Sequence, residues 1–532
     1  MKKLYTFDSE DDSRGRPLLF DFFDGQKHHT FYDRQSAWNW IFPQRDIMVW
    51  AVNLEYDLIN LFGDWLTRLC TLQYVSSGLM RVTMNDADAV WYDTLRHWPM
   101  SVEAMGEYVG IRKSRDYLSD KVTTKLVSAC KRDAEITWKF VDMMLAQYEG
   151  LGLNIRPTLP AMALQLWRKA EAIKKLPRFG DDVREHFREG YYGGRVEVYK
   201  FGEIDGPVNH YDVNSLYPHV MSGRPYPELS DWYETSNPDF SREGMAYITI
   251  DMPYLPIPCL PVRSEIEILF PYGKLSGAWT YPEIRQALVD GGKISSIDWA
   301  YEFPSTVSPF KKYIKLCWEN RKRSKRGSLE NVWWKLAGNS LYGKFGQGDT
   351  ITTIHRDKEF EMGKPSQWSN VIWSAYITSY ARLELLAWLR RAKEAYYCDT
   401  DSVFTPNELP VNDNVLGALK LEGRYSTVQF FGNKVYVCDE KYKARGISNK
   451  CRLGKKCKIC VSCSVPARDF IRTGRAVYRR PARLRESRRS FAQPNVWYVV
   501  EKTFRAEYTK RIIRPDGSTE PWNYPDYLKN FT

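Results

Sequence analysis

Tyr397-Cys398-Asp399-Thr400-Asp401-Ser402 sets two carboxylates two residues apart at the end of a short apolar run, and on a strand both acids would point the same way. Paired acids carry chemistry only if other groups meet them. Upstream, Tyr211-Asp212-Val213-Asn214-Ser215-Leu216-Tyr217-Pro218 reads as a strand ending at an acid, a short turn whose amides suit phosphate, and a proline placed to start a helix. Between the two lies Lys335-x-x-x-Asn339-Ser340-x-Tyr342-Gly343. Positions i, i+4 and i+7 share a helix face, so Lys335, Asn339 and Tyr342 would form one ridge. Asp212 opposite Asp399 and Asp401 would hold two divalent ions, Mg²⁺ or Mn²⁺, while Lys335 adds positive charge near a triphosphate. Phosphoryl transfer asks for such positioning and charge neutralisation more than for covalent help. Singly, each segment is commonplace: an Asp-x-Asp is usually a solvated turn, and a Lys/Asn/Tyr ridge is usually helix surface. In this order and together, they point to nucleotidyl transfer.

A chain of 532 residues is too long for one core and divides into about three or four domains. Its 43% hydrophobic and 14% aromatic content excludes disorder as the default. No run of 18 apolar residues occurs, and Met1-Lys2-Lys3 leads into acids instead of an apolar stretch, so neither a membrane partner nor a signal peptide is expected. Six cysteines scattered singly suit a reducing compartment: the cytoplasm of a host cell, or its nucleus if the host is eukaryotic. The net charge of +12 is concentrated: residues 441–490 hold 17 Lys or Arg against Asp469 and Glu486, leaving the remainder slightly acidic. Arginines from Arg472 to Arg489 suit a polyanion's phosphates better than solvation alone demands.

Strands are expected over Leu4–Phe7 and Leu18–Phe23 with an acidic turn between them, and helices over 57–69, 121–148, 310–346 and 369–392. Asp8 and Glu10 fall at the end of the first strand, Asp57 in Asn53-Leu54-Glu55-Tyr56-Asp57, and Asp133 on the 121–148 helix. Four acids from separate elements suit a second two-metal, hydrolytic site, although acids at such places are also ordinary surface.

The three central segments resemble motifs A, B and C of family B DNA polymerases, and the resemblance covers nearly the whole chain. Tyr191-Tyr192-Gly193-Gly194 and Lys434-Val435-Tyr436 resemble the Tyr-x-Gly-Gly and Lys-x-Tyr elements of the protein-primed branch of small phages, adenoviruses and linear plasmids. The resemblance implies an α/β and α+β multidomain fold: a ribonuclease H-like 3′–5′ exonuclease, then a right-hand palm, fingers and thumb. Its expected divisions are exonuclease 1–160, palm 161–223, first insertion 224–310, fingers 311–347, a short second insertion 348–370, palm 371–448, and a basic thumb 449–532. It makes Asp212 and Asp401 metal ligands with Asp399 in support. It sets Leu216, Tyr217, Lys335, Asn339 and Tyr342 around the nucleotide, with Tyr217 selecting deoxyribose. It gives Tyr191, Gly193, Gly194, Lys434 and Tyr436 contacts to DNA. Asp8, Glu10, Asp57 and Asp133 become the nuclease ligands, and Ser101 holds single-stranded DNA there. The family carries a tyrosine four residues before the last aspartate, where this chain has Ala129, so a weakened nuclease is expected. Implied partners are primer–template DNA, single-stranded DNA, deoxynucleoside triphosphates and a priming terminal protein.

Cys451, Cys457, Cys460 and Cys463 match zinc spacing tolerably, with an iron–sulfur loop and free thiols as alternatives. Two rival functions are a nuclease with a decayed polymerase half and a DNA-binding replication factor. Three intact acids speak against the first, and the motif set is unexplained by the second.

Overall fold

Tyr5 and Phe7 alternate inward along the first strand, Lys3–Asp11, where Phe7 stacks on Phe22 at 4.4 Å. The computed structural model describes residues 2–531 except 13, 76–77, 86, 115–118, 266, 349, 364–365, 448–465, 482–496 and 504–507. The cysteine quartet therefore lies outside the described residues, as do Arg483, Arg485, Arg488 and Arg489.

Lys3–Asp11 lies in a nine-stranded sheet, antiparallel to Pro17–Phe23 and parallel to the fully buried Ile47–Ala51. Pairing with Pro17–Phe23 continues through Asp8↔Asp21 and Glu10↔Leu19, so Asp8 and Glu10 are strand residues as expected and the strand runs on to Asp11. Helix Thr124–Gly150, capped by Thr123, packs across these two strands and carries Asp133 onto the sheet. The helix expected from residue 57 instead begins at Leu54 and ends at Phe62, because Gly63 turns left-handed (φ 54°).

Residues 348–370 depart from the expected insertion on the polymerase half. The hairpin Thr350–His355/Lys358–Gly363 extends the N-terminal sheet, Ile351–Ile354 pairing with Leu72–Val75. Arg68 Nε donates to Asp357 at 2.6 Å, and Thr71 Oγ1 meets His355 Nδ1 at 2.7 Å. Without the hairpin, Cys70–Val75 would be a bare sheet edge, which explains why the chain covers it.

A second, antiparallel sheet of seven strands runs in the order Lys441–Ala444, Val435–Cys438, Leu419–Gly432, Gly202–Val213, Ser402–Thr405, Tyr397–Asp399, Val196–Val198. Helix Val371–Arg391 is buried on nearly every side and packs against helices Leu216–Gly223, Asp181–Glu189 and Tyr281–Val289. Between residues 224 and 310 the chain builds a separate four-stranded sheet. Helices Lys311–Arg323 and Leu329–Ser340 form an antiparallel pair turned at Gly327 (φ 80°) and capped by Ser328. Residues 508–531 also depart from expectation: they return to the second sheet and the insertion, with Tyr272 N donating to Trp522 O at 3.0 Å. Among the described residues no helix is long and apolar enough to cross a membrane.

Candidate active sites

Asp212 is next to last on Gly202–Val213, flanked by Ser402 on one neighbouring strand and Lys420 on the other. Asp399 and Asp401 do not share a strand face as expected. Asp399 ends one strand, Thr400 adopts φ 60°, and Asp401 precedes the returning strand, its N–H donating to Asp399 O at 2.6 Å. The left-handed residue breaks the two-residue periodicity, so the pair forms a turn. Val213 N donates to Asp401 O at 2.7 Å, fixing that turn beside Asp212. Thr400 N donates to Arg195 O at 2.7 Å. A Cβ on Gly194 would come within 2.9 Å of the Thr400 side chain, which explains a glycine there. The carbonyls of Tyr192 and Gly193 each accept from Arg382 at 2.8 Å, and that of Tyr191 from Arg263 at 2.8 Å.

Burial, then Asp401 and Glu422, push the Asp212 carboxyl up to about 7 against the opposing pull of Lys420 and Lys335. Burial, then Asp399, push Asp401 up to about 6. Asp399 itself pairs with Lys434 Nζ at 2.9 Å. The charge left to neutralise therefore rests on Asp212 and Asp401.

Ser215 (φ 54°) turns the chain into helix Leu216–Gly223, so Pro218 is its third residue, not its first. Leu216 is 1% exposed, so its side chain faces the core and a nucleotide contact would fall to its backbone amide at the helix start. The expected ridge is also interrupted: the helix bearing Lys335 and Asn339 ends at Ser340, and Tyr342 starts a short separate helix. Tyr342 returns to the site by stacking on Tyr217, with ring centroids 4.0 Å apart and planes 20° apart. Lys335 is exposed. The Tyr436 ring packs with Tyr397, Phe404 and Phe430 and is 7% exposed, so a contact to DNA would fall to its hydroxyl.

Sequence reasoning missed Lys420 and Glu422, which strand pairing brings beside Asp212. No motif marked Arg321 either; its Nη1 donates to Ser215 Oγ at 3.0 Å, beside the turn.

At the N-terminal sheet, Asp8, Glu10, Asp57 and Asp133 come together, each of the four raised in part by burial and Asp8 by the other three. Burial, then Asp133, Glu10 and Asp57, raise Asp8 well above the usual carboxylate range. Burial, then Asp133, push Glu10 up to about 8. Asp57 accepts from Ser9 Oγ at 2.6 Å, and Ser9 Oγ accepts from Asn60 at 3.1 Å. Lys113, which no motif marked, is paired with Asp133. Ser101 caps helix Val102–Val109, its hydroxyl accepting from Ala104 N at 3.3 Å. Ala129 is fully buried on the helix that bears Asp133.

Among the described residues no three His, Cys, Asp or Glu side chains already enclose a common point as a metal cage. The donor chemistry nevertheless fits hard divalent cations in both clusters, since all the acids offer oxygen and repel one another. Asp8 Oδ2 and Asp133 Oδ1 are buried with no hydrogen-bond partner among the described residues, as ligand atoms awaiting a cation would be.

A profile described as DNA polymerase type B, organellar and viral, matches residues 107–386, more than half of the chain, and the protein belongs to this family. The family implies dependence on divalent metal. The chain is 27% identical over 350 residues to the DNA-directed DNA polymerase of Enterobacteria phage PRD1, covering 59% of each. It is 26% identical over 415 residues to a probable DNA polymerase of Neurospora intermedia, covering 66% of this chain and 42% of that one. The chain thus spans less than two thirds of the length of both relatives. Its fold matches Phi29 DNA polymerase complexed with primer-template DNA and incoming nucleotide substrates, with a TM-score of 0.75 at 16% identity over 95% of this chain and 100% of that one. The multidomain α/β and α+β architecture expected from the sequence is the one found.

Proposed function

We propose that the protein is a template-directed DNA polymerase with a 3′–5′ exonuclease, serving protein-primed replication of a viral or mobile-element genome. The observation that carries the polymerase reading is the Asp401 turn fixed beside Asp212, two carboxyls raised by burial and by neighbouring acids. Asp212 and Asp401 would hold two Mg²⁺ or Mn²⁺ ions, which supply charge neutralisation at the primer 3′-oxygen and the triphosphate. Lys335, with Arg321 beside Ser215, would attract the triphosphate to the helix start, and the stacked Tyr217–Tyr342 pair would form a wall against the sugar. Lys434 would keep Asp399 from adding a third uncompensated charge. In the N-terminal cluster Asp8, Glu10, Asp57 and Asp133 would hold the hydrolytic ions. Primer–template DNA, single-stranded DNA and deoxynucleotides are the proposed ligands, with a terminal protein as primer. The six described cysteines are free and buried, which supports a reducing compartment.

Primer extension with Mg²⁺ and deoxynucleotides tests this reading; binding without extension would overturn it. Tyr217→Val is expected to raise ribonucleotide incorporation by about 10- to 100-fold, because the lost wall is worth roughly 1–3 kcal/mol of discrimination. Unchanged ribonucleotide exclusion would remove Tyr217 from that role.

The raised carboxyls also predict how stability follows pH. Groups whose folded pKa exceeds the unfolded value stabilise the protein at low pH, and that contribution disappears as pH rises through the folded pKa. With Asp401 at about 6, Asp212 at about 7 and Glu10 at about 8, the loss begins near the unfolded carboxylate value of about 4 and is complete by about pH 8. In EDTA the Tm should therefore drop by about 5 °C over that window, and excess Mg²⁺ at pH 8 should restore it. A Tm indifferent to both would contradict the clustering of the acids.

A further inference from the structure

Val196–Val198 is a three-residue strand at the outer edge of the second sheet, yet it braces the Asp399–Asp401 turn from that side. Asp399 pairs with Val196, Cys398 with Glu197 and Tyr397 with Val198, and Thr400 N donates to Arg195 O at 2.7 Å. A strand so short, with its outer row of amides and carbonyls open, gives little support alone.

The far end of the chain takes up that row. Lys510 Nζ donates to Val196 O at 3.1 Å, Val198 N donates to Tyr508 OH at 2.8 Å, and Thr519 Oγ1 donates to Val198 O at 2.9 Å. Just beyond, Thr519 N donates to Tyr199 O at 2.9 Å and Phe201 N to Gly517 O at 2.7 Å. The Glu197 side chain is fully buried between Arg195, at 2.5 Å, and Arg511, at 3.4 Å. Burial alone would raise its carboxyl; Arg195, then Arg511 and Lys510, more than offset that and hold it below its ordinary value. Arg511 uses the rest of its fork on Thr519 Oγ1 and Pro256 O, both at 2.8 Å, while Arg195 reaches Pro258 O at 2.7 Å. The insertion, the edge strand and the C-terminal hairpin thus meet on one buried carboxylate. A half-removed buried ion network is costly, so this joint should be rigid.

We propose that the C-terminal segment Tyr508–Thr519 is a positioning element of the polymerase site: by closing the edge of Val196–Val198 and gripping Glu197, it holds the Asp399–Asp401 turn at its distance from Asp212. This rests on the polymerase reading above. Its residues touch no substrate; they act through the short strand on where the turn sits, and about 1 Å of misplacement is enough to cost roughly 100-fold in rate.

The test uses the full-length protein carrying Arg511→Met, Arg511→Lys or Lys510→Met. Arg511→Met is expected to lower kcat for extension by about 10- to 100-fold, with the nucleotide KM, the Kd for primer–template and the nuclease rate within about twofold of wild type. Amide deuterium exchange across residues 395–405 should quicken by at least about tenfold. Arg511→Lys keeps the charge but not the fork and should recover part of the rate. Lys510→Met, which removes one hydrogen bond and the third positive charge near Glu197, should lower kcat about three- to tenfold and still serves if Arg511→Met does not fold. Unchanged kcat and exchange would overturn the proposal. So would an equal fall in nuclease and extension, or weakened DNA binding with kcat intact at saturating DNA. Wild-type protein that digests single strands but never extends a primer would instead overturn the polymerase reading.

Discussion

Asp401→Asn is expected to reduce primer extension by about three to four orders of magnitude, roughly 4–5 kcal/mol of transition-state stabilisation, while DNA binding and the nuclease are retained. The substitution is nearly isosteric and leaves the Asp401 carbonyl to accept from Val213 N, so the turn should keep its place beside Asp212. What is lost is one of two carboxylates whose ionised forms are held in a buried, mutually repulsive setting. Relief of that repulsion should leave the apoprotein no less stable, a result opposite to that expected of a structural ion pair. Asp399→Asn should cost much less, because Asp399 is already neutralised by Lys434 at 2.9 Å. Steady-state extension on a short primer–template, beside a filter-binding measurement of Kd, checks all of this. Asp401→Asn protein extending within tenfold of wild type would remove the residue from the metal site.

The second large effect concerns the N-terminal cluster. Asp8→Ala should lower mononucleotide release from labelled single strands by at least about a thousandfold, some 4 kcal/mol, without slowing extension. Asp8 lies under three other acids and keeps one oxygen unpaired, so its loss removes a ligand atom that no neighbour replaces. The two acidic clusters stand on different sheets, which is why the effects should separate. The wild-type nuclease should itself be slow, since a fully buried alanine stands at position 129. Release unaffected by Asp8→Ala would assign the digestion to some other group.

The acids of both clusters were readable because their segments resemble family motifs, and the proposed cation chemistry would confine such positions to carboxylates. Asp8, Glu10, Asp57 and Asp133 needed only one strand and two helices, and Asp212 needed one strand end. Local conformation was less legible. Nothing in Asp399-Thr400-Asp401 announces the φ of 60° that converts a presumed strand face into a turn. Leu341 keeps helical torsions, yet the helix ends at Ser340 before Tyr342.

Long-range partnership was not legible at all. The hairpin of residues 350–363 joins a sheet whose other strands end at Asp93, and Tyr508–Thr519 closes an edge strand at Val196–Val198. Both contacts are made largely to backbone amides and carbonyls, which every residue possesses, so no side-chain pattern specifies them. Lys113, Lys420, Glu422 and Arg511 gain their meaning the same way, from a charge that folding brings beside them. The acids proposed to perform the chemistry were written in local sequence, whereas the groups that neutralise, brace and aim them were selected by packing across hundreds of residues.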